Sequence, residues 1–119
     1  MEIRSKLQKV SIIMPMRNAA TTVVNALRSV EKQNYPLNEV IVIDDGSTDN
    51  SNELVSNFAR KSDLPITIIT REKNGGIGSS FNIGVKKAKS GFVILMHSDC
   101  VLQTREEVRK LMAPFEKDS

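Results

Sequence analysis

The most informative stretch of the sequence is Val40-Ile41-Val42-Ile43-Asp44-Asp45-Gly46-Ser47-Thr48-Asp49. Its four consecutive β-branched residues predict a strand that is buried on both faces, because a half-exposed strand would alternate with polar residues. Two carboxylates end this strand, and a Gly-Ser-Thr-Asp turn then leads toward a helix. Parallel α/β sheets bind their ligands at the carboxyl ends of their strands. We therefore expect the functional site at this edge of the sheet.

The composition of the 119-residue chain limits the possible classes of protein. A hydrophobic content of 39% is enough for a folded core, and we predict one domain over residues 1–119. Aromatic residues make up only 4%, so the chain lacks the stacking platforms of single-strand nucleic-acid binders. The net charge of +3 is also small and spread along the chain. We predict no nucleic-acid partner.

Cysteine usage and hydropathy bear on the cellular compartment. The single cysteine, Cys100, excludes an internal disulfide. No apolar run approaches the roughly 18 residues that cross a membrane, and the first residues lack the apolar core of a signal peptide. We therefore expect a cytoplasmic domain, with membrane association only through other parts of a longer protein.

Hydrophobic periodicity predicts four strands that alternate with four helices. This order predicts an α/β fold with an open, doubly wound parallel sheet, strand order 3-2-1-4 and helices on both faces. The strands are predicted at 9–14, 40–43, 66–69 and 92–96, and the helices at 19–33 and from about residues 50, 77 and 104.

Local signals predict where these elements begin and end. Pro15 has no backbone N–H and should end the first strand, and Asn18 should cap the helix that follows. Gly84 should let the third helix approach the sheet closely. Two later helix starts have the spacing of a capping box: Asn50 with Glu53, and Thr104 with Glu107.

Acidic residues follow the second and the fourth predicted strands. Asp44 and Asp45 point to opposite faces of their strand, so one should face the crevice and the other should support the loop. Such a pair either binds a ribose or a base, or only caps the following turn. Asp99 follows the fourth strand and is a hard oxygen ligand suited to Mg²⁺ or Mn²⁺ on a diphosphate. The alternative for Asp99 is a cap on the next segment.

The only histidine and a glycine-rich loop complete the candidate residues. His97 is the single histidine, which excludes any multi-histidine metal site. Gly75, Gly76 and Gly78 precede the third helix but lack the pattern of a dinucleotide fingerprint or a P-loop. This loop either brings backbone close to a phosphate at the helix N-terminus or forms a tight turn.

In combination these segments resemble the inverting glycosyltransferases of family 2, which have the Rossmann-like GT-A fold. Residues 10–18 resemble the opening strand and the Pro-x-x-Asn loop of that family, and residues 39–49 match its signature segment closely. Residues 74–91 match its glycine loop and third helix. Residues 92–99 resemble the strand that ends in its Asp-x-Asp motif. The resemblance covers about residues 9–115.

The resemblance implies a nucleoside diphosphate-sugar as donor and transfer of the sugar with inversion to an unknown acceptor. Asp99 would take the place of the second acid of Asp-x-Asp and hold Mn²⁺ or Mg²⁺. His97 stands where the first acid is expected, which removes one negative charge beside the metal. The nucleotide-binding residues implied by the resemblance are Pro15, Arg17, Asn18, Asp44, Asp45, Gly75, Gly76 and His97.

The resemblance also implies that part of the enzyme is missing from this chain. The acceptor-binding half of the family, with the Asp or Glu that acts as catalytic base, is expected beyond Ser119. We therefore expect the donor-binding half of an enzyme, inactive alone. An uncovered fourth strand would expose a sheet edge, which predicts a homo-oligomer through that edge.

Two other interpretations stay open. The chain is either a transferase domain or a module that binds a nucleotide or nucleotide-sugar without catalysis. A third interpretation is a flavodoxin-like regulatory domain, in which Asp44 and Asp45 would form an acidic phosphoacceptor pocket.

Overall fold

The computed structural model describes residues 7–116 and contains four strands that alternate with four helices. The strands are β1 (Val10–Met16), β2 (Glu39–Asp45), β3 (Ile66–Arg71) and β4 (Phe92–Leu95). The helices are α1 (Val23–Glu31), α2 (Ser51–Lys61), α3 (Ile77–Lys87) and α4 (Glu107–Met112), and a 3-10 turn (Ala113–Phe115) follows α4.

The four strands form one parallel sheet in the order β3-β2-β1-β4. The predicted strand order and the α/β fold class are thereby confirmed. The chain runs outward from β1 to β3 and then returns to the other side of β1 to form β4. The carboxyl ends of β1 and β4 therefore border the point at which the winding reverses, where open sheets form a crevice.

Hydrophobic packing on both faces of the sheet explains this arrangement. Every residue of β1 and β2 is buried, as expected for central parallel strands. One face packs against α1 and α2 through residues such as Val23, Leu27 and Val55. The other face packs Ile13 against Phe81 and other residues of α3. Each fully buried aliphatic side chain contributes about 1.5–3 kcal/mol to folding.

The close approach that Gly84 was predicted to allow is confirmed. A Cβ at Gly84 would lie 3.3 Å from Cβ of Ile13 and would overlap its Cγ2. Gly84 and Ile13 are both buried. A side chain at position 84 would therefore push α3 away from β1.

The prediction that Pro15 ends the first strand is wrong, because β1 continues to Met16. Pro15 is paired in register with Ile43 of β2. On the other side, the last paired residue of β1 is Ile13, whose carbonyl accepts from the N–H of Met96. The backbone polar groups of residues 13 and 15 point to the same side of β1, toward β4. Because Pro15 lies beyond the end of β4, its missing N–H removes no hydrogen bond from the sheet.

The two predicted capping boxes are also wrong. Asn50 makes no side-chain cap, and Asp49 instead accepts from the backbone N–H of Ser51 at 2.9 Å. Thr104 donates to the carboxylate of Glu107 at 2.7 Å, but α4 begins only at Glu107. The predicted box is therefore a turn in front of the helix.

One edge of the sheet is exposed. Val93 and Leu95 of β4 are 36% and 49% exposed. They are paired with Ser11 and Ile13, so they lie on the sheet face that α3 covers only over β1 and β2.

Within residues 7–116, no helix has the length and the apolar character needed to span a membrane.

Candidate functional site

A cavity of about 480 Å³ lies at the carboxyl ends of β1, β2 and β4. It opens where the winding of the sheet reverses, as the sequence predicted for the ligand site. Seven of the nine residues singled out in the sequence line it, and Asp44 and Gly75 do not. The seven are Pro15, Arg17, Asn18, Asp45, Gly76, His97 and Asp99.

Asn18 connects the loop after β1 to the loop after β2. It does not cap α1, contrary to the sequence prediction, because α1 begins at Val23 with Thr22 as its N-cap residue. The side-chain carbonyl of Asn18 instead accepts from the backbone N–H of Thr48 at 2.7 Å and of Asp49 at 3.2 Å. Its own N–H donates to the hydroxyl of Ser47 at 2.9 Å.

Asp49 reinforces the same connection from the other side. Its carboxylate accepts from the backbone N–H of Ala20 at 3.2 Å and from both the N–H and the hydroxyl of Ser51. The Ser51 hydroxyl in turn accepts from the N–H of Ala19 at 2.7 Å. The hydrogen bond from the Ser51 side chain is the main reason why the pKa of Asp49 lies below its usual value.

Asp45 holds the glycine loop against the sheet. One carboxylate oxygen accepts from the N–H of Gly75 at 2.8 Å, and the other accepts from the N–H of Gly76 at 2.9 Å. Arg71 lies 3.3 Å from the same carboxylate and also donates to the buried hydroxyl of Ser80. This arrangement places a buried carboxylate, with one fixed cation, on the wall of the cavity.

The local geometry favours glycine at both of these positions. A Cβ at Gly75 would lie 2.6 Å from Cζ of Arg71, and Gly76 has a φ of 90°. A side chain at the first position would displace the guanidinium, and the backbone at the second is one that glycine adopts at no steric cost. The glycine loop is thus a close approach of backbone to Asp45 and Arg71.

Asp44 points away from the cavity, as expected for adjacent residues of one strand. Its carboxylate accepts from the N–H of Ser47 at 3.0 Å and from the side-chain amide of Asn52 at 3.0 Å. Asn52 also donates to Thr70 of β3. Asp44 therefore supports the turn after β2, which is the structural role that the sequence left open for one member of the pair.

His97 and Asp99 lie on the wall opposite to Asp45, and both are exposed. The ring of Phe81 meets the imidazole edge-on, with centroids 5.9 Å apart and an interplanar angle of 84°. Edge-to-face contacts of this kind favour one ring orientation. Arg17 is also exposed on the cavity wall and brings a cation to the side of β1.

The residues present fit a divalent cation that is shared with a ligand. His97 and Asp99 offer one imidazole and one carboxylate on the same wall, which suits Mn²⁺ better than Mg²⁺. Within residues 7–116 there is no cluster of three or more His, Cys, Asp or Glu side chains placed to hold a metal ion. A cation at this position would therefore need ligand and water oxygens to complete its shell.

Several cavity residues were not predicted from the sequence. Asn74, Ile77 and Ser80 belong to the glycine loop and the first turn of α3, and Thr21 and Thr22 precede α1. Ser80 is fully buried and bonded to Arg71, although it looks like an ordinary helix surface residue in the sequence. No sequence signal marks it, because its partner lies on a different element.

Curated relatives of known name match most of this chain. A glycosyltransferase of Streptococcus pneumoniae, GlyG, is 31% identical over 94 residues, which are 79% of this chain and 31% of that protein. The poly-β-1,6-N-acetyl-D-glucosamine synthase of Staphylococcus epidermidis is 31% identical over 97 residues, 82% of this chain and 23% of that protein. The chain spans less than a third of the length of these relatives.

Solved structures resemble the fold closely. The structure of S. aureus TarS in complex with UDP-GlcNAc has a TM-score of 0.79 and 32% identity, over 88% of this chain and 30% of that one. The mannosyltransferase PcManGT from Pyrobaculum calidifontis, in complex with GDP-Man and Mn²⁺, has a TM-score of 0.80 and 27% identity. That match covers 83% of this chain and 30% of the mannosyltransferase.

The family model described as "Glycosyl transferase family 2" matches residues 11–119. It therefore includes all four strands, apart from the first residue of β1, and every residue that lines the cavity. The sheet order, the nucleotide-sugar-binding structural neighbours and the family match agree with one another. The chain belongs to glycosyl transferase family 2 and has the GT-A, Rossmann-like fold.

Proposed function

We propose that this chain binds a nucleoside diphosphate-sugar and forms the donor-binding part of an inverting glycosyltransferase. The observation that carries the proposal is the cavity at the reversal point of the sheet, with Asp45 on one wall and Asp99 on the other. Such a cavity is large enough for a nucleotide and lies where open α/β sheets bind them.

We assign the base and the ribose of the nucleotide to the part of the cavity beside Asp45. Oδ1 accepts from the N–H of Gly75 and lies 3.3 Å from Arg71, whereas Oδ2 accepts from the N–H of Gly76 and keeps a lone pair for a further donor. A base N–H or a ribose hydroxyl is such a donor. Asn18 and Gly76 border the same part of the cavity, and the fixed loops mean that little ordering is needed when the nucleotide binds.

The diphosphate is assigned to the side of His97 and Asp99. A bound Mn²⁺ or Mg²⁺ would supply positive charge that stabilises the nucleoside diphosphate as the leaving group. Asp99 would hold the cation through its carboxylate, and His97 through imidazole nitrogen. Arg17 brings a further positive charge to the cavity wall and favours an anionic ligand.

The relatives support this donor class. The TarS structure was solved with UDP-GlcNAc, and the mannosyltransferase structure with GDP-Man and Mn²⁺. The two ligands differ in base and sugar, and both are nucleoside diphosphate-sugars. We extend that shared class to this chain, without a choice of base or sugar.

We further propose that residues 1–119 do not transfer a sugar by themselves. In an inverting transfer the acceptor oxygen attacks the anomeric carbon, the bond to the diphosphate breaks, and a base takes the hydroxyl proton. Asp45 and Asp99 are the only carboxylates among residues 7–116 that line the cavity. Both have the donor-binding roles given above, so the catalytic base is assigned to another part of the whole enzyme.

Calorimetric titration of the 119-residue chain with UDP, GDP, dTDP and CDP, each with and without Mn²⁺, tests donor binding. We expect one nucleotide to bind, and Asp99→Asn to remove the benefit of Mn²⁺. Asp63→Asn is the matched control, because Asp63 is exposed and lies outside the cavity. Absence of binding for all four nucleotides in both conditions would overturn the proposal.

A module that binds nucleotide without catalysis is the second candidate. It is favoured by the same scarcity of carboxylates in the cavity. Release or transfer of a labelled sugar by the 119-residue chain, above the rate in buffer, would exclude it. Such turnover would also contradict our proposal that this chain is inactive alone.

A further inference from the structure

A second cavity, of about 500 Å³, continues from the proposed donor cavity along α1. The first cavity is bordered by Thr21 and Thr22 on one side and by Ser98 and Asp99 on the other. The second is bordered by α1, which follows Thr22, and by residues 101–105. The two cavities have no lining residue in common, but each is bordered by neighbouring stretches of the same two segments.

Positive charge distinguishes this second cavity, which we call the basic groove. Arg28 and Lys32 lie one turn apart at the end of α1, and Arg105 faces them from the segment before α4. All three are exposed, and no acidic residue lines the groove within residues 7–116. The remaining polar lining is neutral and consists of Asn25, Ser29, Gln103 and Thr104.

Three acidic residues lie close to the groove without lining it, and one of them, Glu107, accepts from the hydroxyl of the groove residue Thr104 at 2.7 Å. Glu31 accepts from the hydroxyl of Ser62, next to α2. Glu106 lies 3.6 Å from Arg109 and accepts from Asn34. In the part of the chain that the structure describes, none of the three groove cations has an ion-pair partner. The residues that line the groove therefore carry only positive charge.

The helix dipole explains only part of this cluster. Cations are favoured in the last turn of a helix, which accounts for Arg28 and Lys32. Arg105 belongs to a different segment, and its Nε donates to the carbonyl of Lys32 at 3.3 Å. This bond satisfies a carbonyl at the C-terminal end of α1 and fixes the guanidinium beside the other two charges.

The wall that carries Arg105 is held rigidly against α1. The side-chain amide of Gln33 donates to the carbonyl of Thr104 at 2.7 Å, and the N–H of Asn34 donates to the carbonyl of Arg105 at 2.7 Å. The N–H of Leu102 donates to the hydroxyl of Ser29 at 3.0 Å. The three cations are therefore presented by a preformed surface, which lowers the cost of binding a ligand.

We propose that the basic groove binds the phosphate groups of an anionic acceptor chain and leads that chain toward the Asp99 end of the donor cavity. From Asn25 to Lys32 the groove follows α1 for two turns, or about 10 Å, enough for more than one phosphate. Guanidinium and ammonium groups at fixed positions form charge-assisted hydrogen bonds with such groups. The role of the bound chain as acceptor rests on the proposed function, whereas phosphate binding does not.

Titration of the 119-residue chain with a short linear inorganic polyphosphate tests the groove. We expect binding that weakens with added salt, and a loss of roughly tenfold or more in affinity for Arg28→Gln/Lys32→Gln/Arg105→Gln. The matched control, Arg60→Gln/Lys61→Gln/Lys86→Gln, removes the same charge from exposed positions outside the groove. Its affinity should change less than about threefold, as expected for solvent-screened charges.

Equal losses of polyphosphate affinity in the two triple variants would refute phosphate binding by the groove. An absence of polyphosphate binding to the unmodified chain would refute it too. Binding to phosphatidylglycerol vesicles but not to polyphosphate would refute the proposal that the groove binds an acceptor chain. It would indicate that the groove binds a membrane surface instead. Thermal unfolding of each variant, which should stay within a few degrees of the unmodified chain, confirms that the affinities are measured on folded protein.

A parallel nucleotide titration separates this inference from the proposed function. The groove variant should bind the donor nucleotide as the unmodified chain does, because none of its three residues lines the donor cavity. Polyphosphate binding through the groove without any nucleotide binding would overturn the donor proposal and support the phosphate site. Nucleotide binding with polyphosphate affinity unchanged in the groove variant would overturn the groove alone.

Discussion

The side-chain carbonyl of Asn18 lies 2.7 Å from the backbone nitrogen of Thr48 and accepts its hydrogen bond. Asn18 adopts a φ of 53°, a left-handed conformation that asparagine tolerates better than most residues. The loop after β1 thereby holds the turn after β2 in place. One amide side chain on the wall of the proposed donor cavity thus couples the loop after β1 to the turn after β2.

Replacement of Asn18 by Ala should destabilise the fold by about 1–3 kcal/mol, because two backbone N–H groups lose their acceptor and a Cβ remains in a left-handed backbone. Asn18→Gly should lose less, since it relieves the backbone strain. The measurement is chemical denaturation. Asn50→Ala is the control, because Asn50 is exposed and makes no side-chain cap. Equal stability of Asn18→Ala and the unmodified chain would contradict the coupling.

Replacement of Gly84 by Ala should cost about 1–3 kcal/mol, because its methyl group would overlap the side chain of Ile13. Gly78→Ala is a matched control in the same helix, where a Cβ has no atom within 4 Å. That variant should be neutral or more stable by up to about 1 kcal/mol, since Ala favours helix. Thermal unfolding of both variants tests the contact, and a similar loss in the control would argue against it.

Replacement of His97 by Asp should strengthen the dependence of nucleotide binding on Mn²⁺ or Mg²⁺. The change adds a second carboxylate beside Asp99, and carboxylate oxygen is the ligand that Mg²⁺ prefers. His97→Asn is the control, because it adds an oxygen without charge. Titration calorimetry with a nucleoside diphosphate measures the effect, and an unchanged metal dependence in His97→Asp would refute it.

Alkaline titration should show Tyr35 ionising about two pH units later than a free tyrosine. Burial, followed by the nearby Glu116 carboxylate, raises its pKa from 10 to about 12. The folded state thus favours the neutral phenol, so this stabilisation is complete below pH 10 and is lost as the pH rises through about 12.

The measurement is simple because Tyr35 is the only tyrosine and the chain has no tryptophan. Tyrosinate absorbance therefore reports on one residue. Glu116→Gln should lower the midpoint, whereas Glu53→Gln, on exposed helix surface, should leave it unchanged. A midpoint near 10 in the folded, unmodified chain would contradict the buried environment of the phenol.

The β4 edge predicts self-association of the 119-residue chain at high concentration. Leu95 is 49% exposed beside unpaired backbone, and such edges pair with other strands. Leu95→Lys should shift the chain toward monomer, because a charge on an edge strand opposes pairing. Leu111→Lys is the control, since it adds the same charge at an exposed position of α4. Sedimentation velocity measures the shift, and a monomer at all concentrations in the unmodified chain would rule out this association.

The sequence was sufficient for the sheet because its signals were redundant. The apolar run before Asp44 required a strand buried on both faces, and helix-strand alternation with right-handed crossovers left few possible strand orders. The close approach at Gly84 was also predictable, since a glycine within the apolar face of a helix indicates that the helix lies close against its neighbour. The sheet prediction depended on patterns that one residue cannot change.

The loops were less predictable because a single polar side chain has several possible partners. Asparagine is a residue type that often caps helices, but the backbone conformation of Asn18 directs its side-chain carbonyl to Thr48, far along the chain. The sequence indicated that one of the two aspartates would face the crevice. It gave no sign that Asp45 would hold Gly75 and Gly76, since that contact depends on how two loops meet.

Pro15 keeps the crevice between β1 and β4 from closing. It faces the side where β4 would continue, yet it has no N–H to donate, so a longer β4 would find no backbone donor there. The chain instead diverges after Leu95 and carries His97 and Asp99 away from β1. A proline beyond the end of the neighbouring strand thus leaves an opening into the proposed donor cavity.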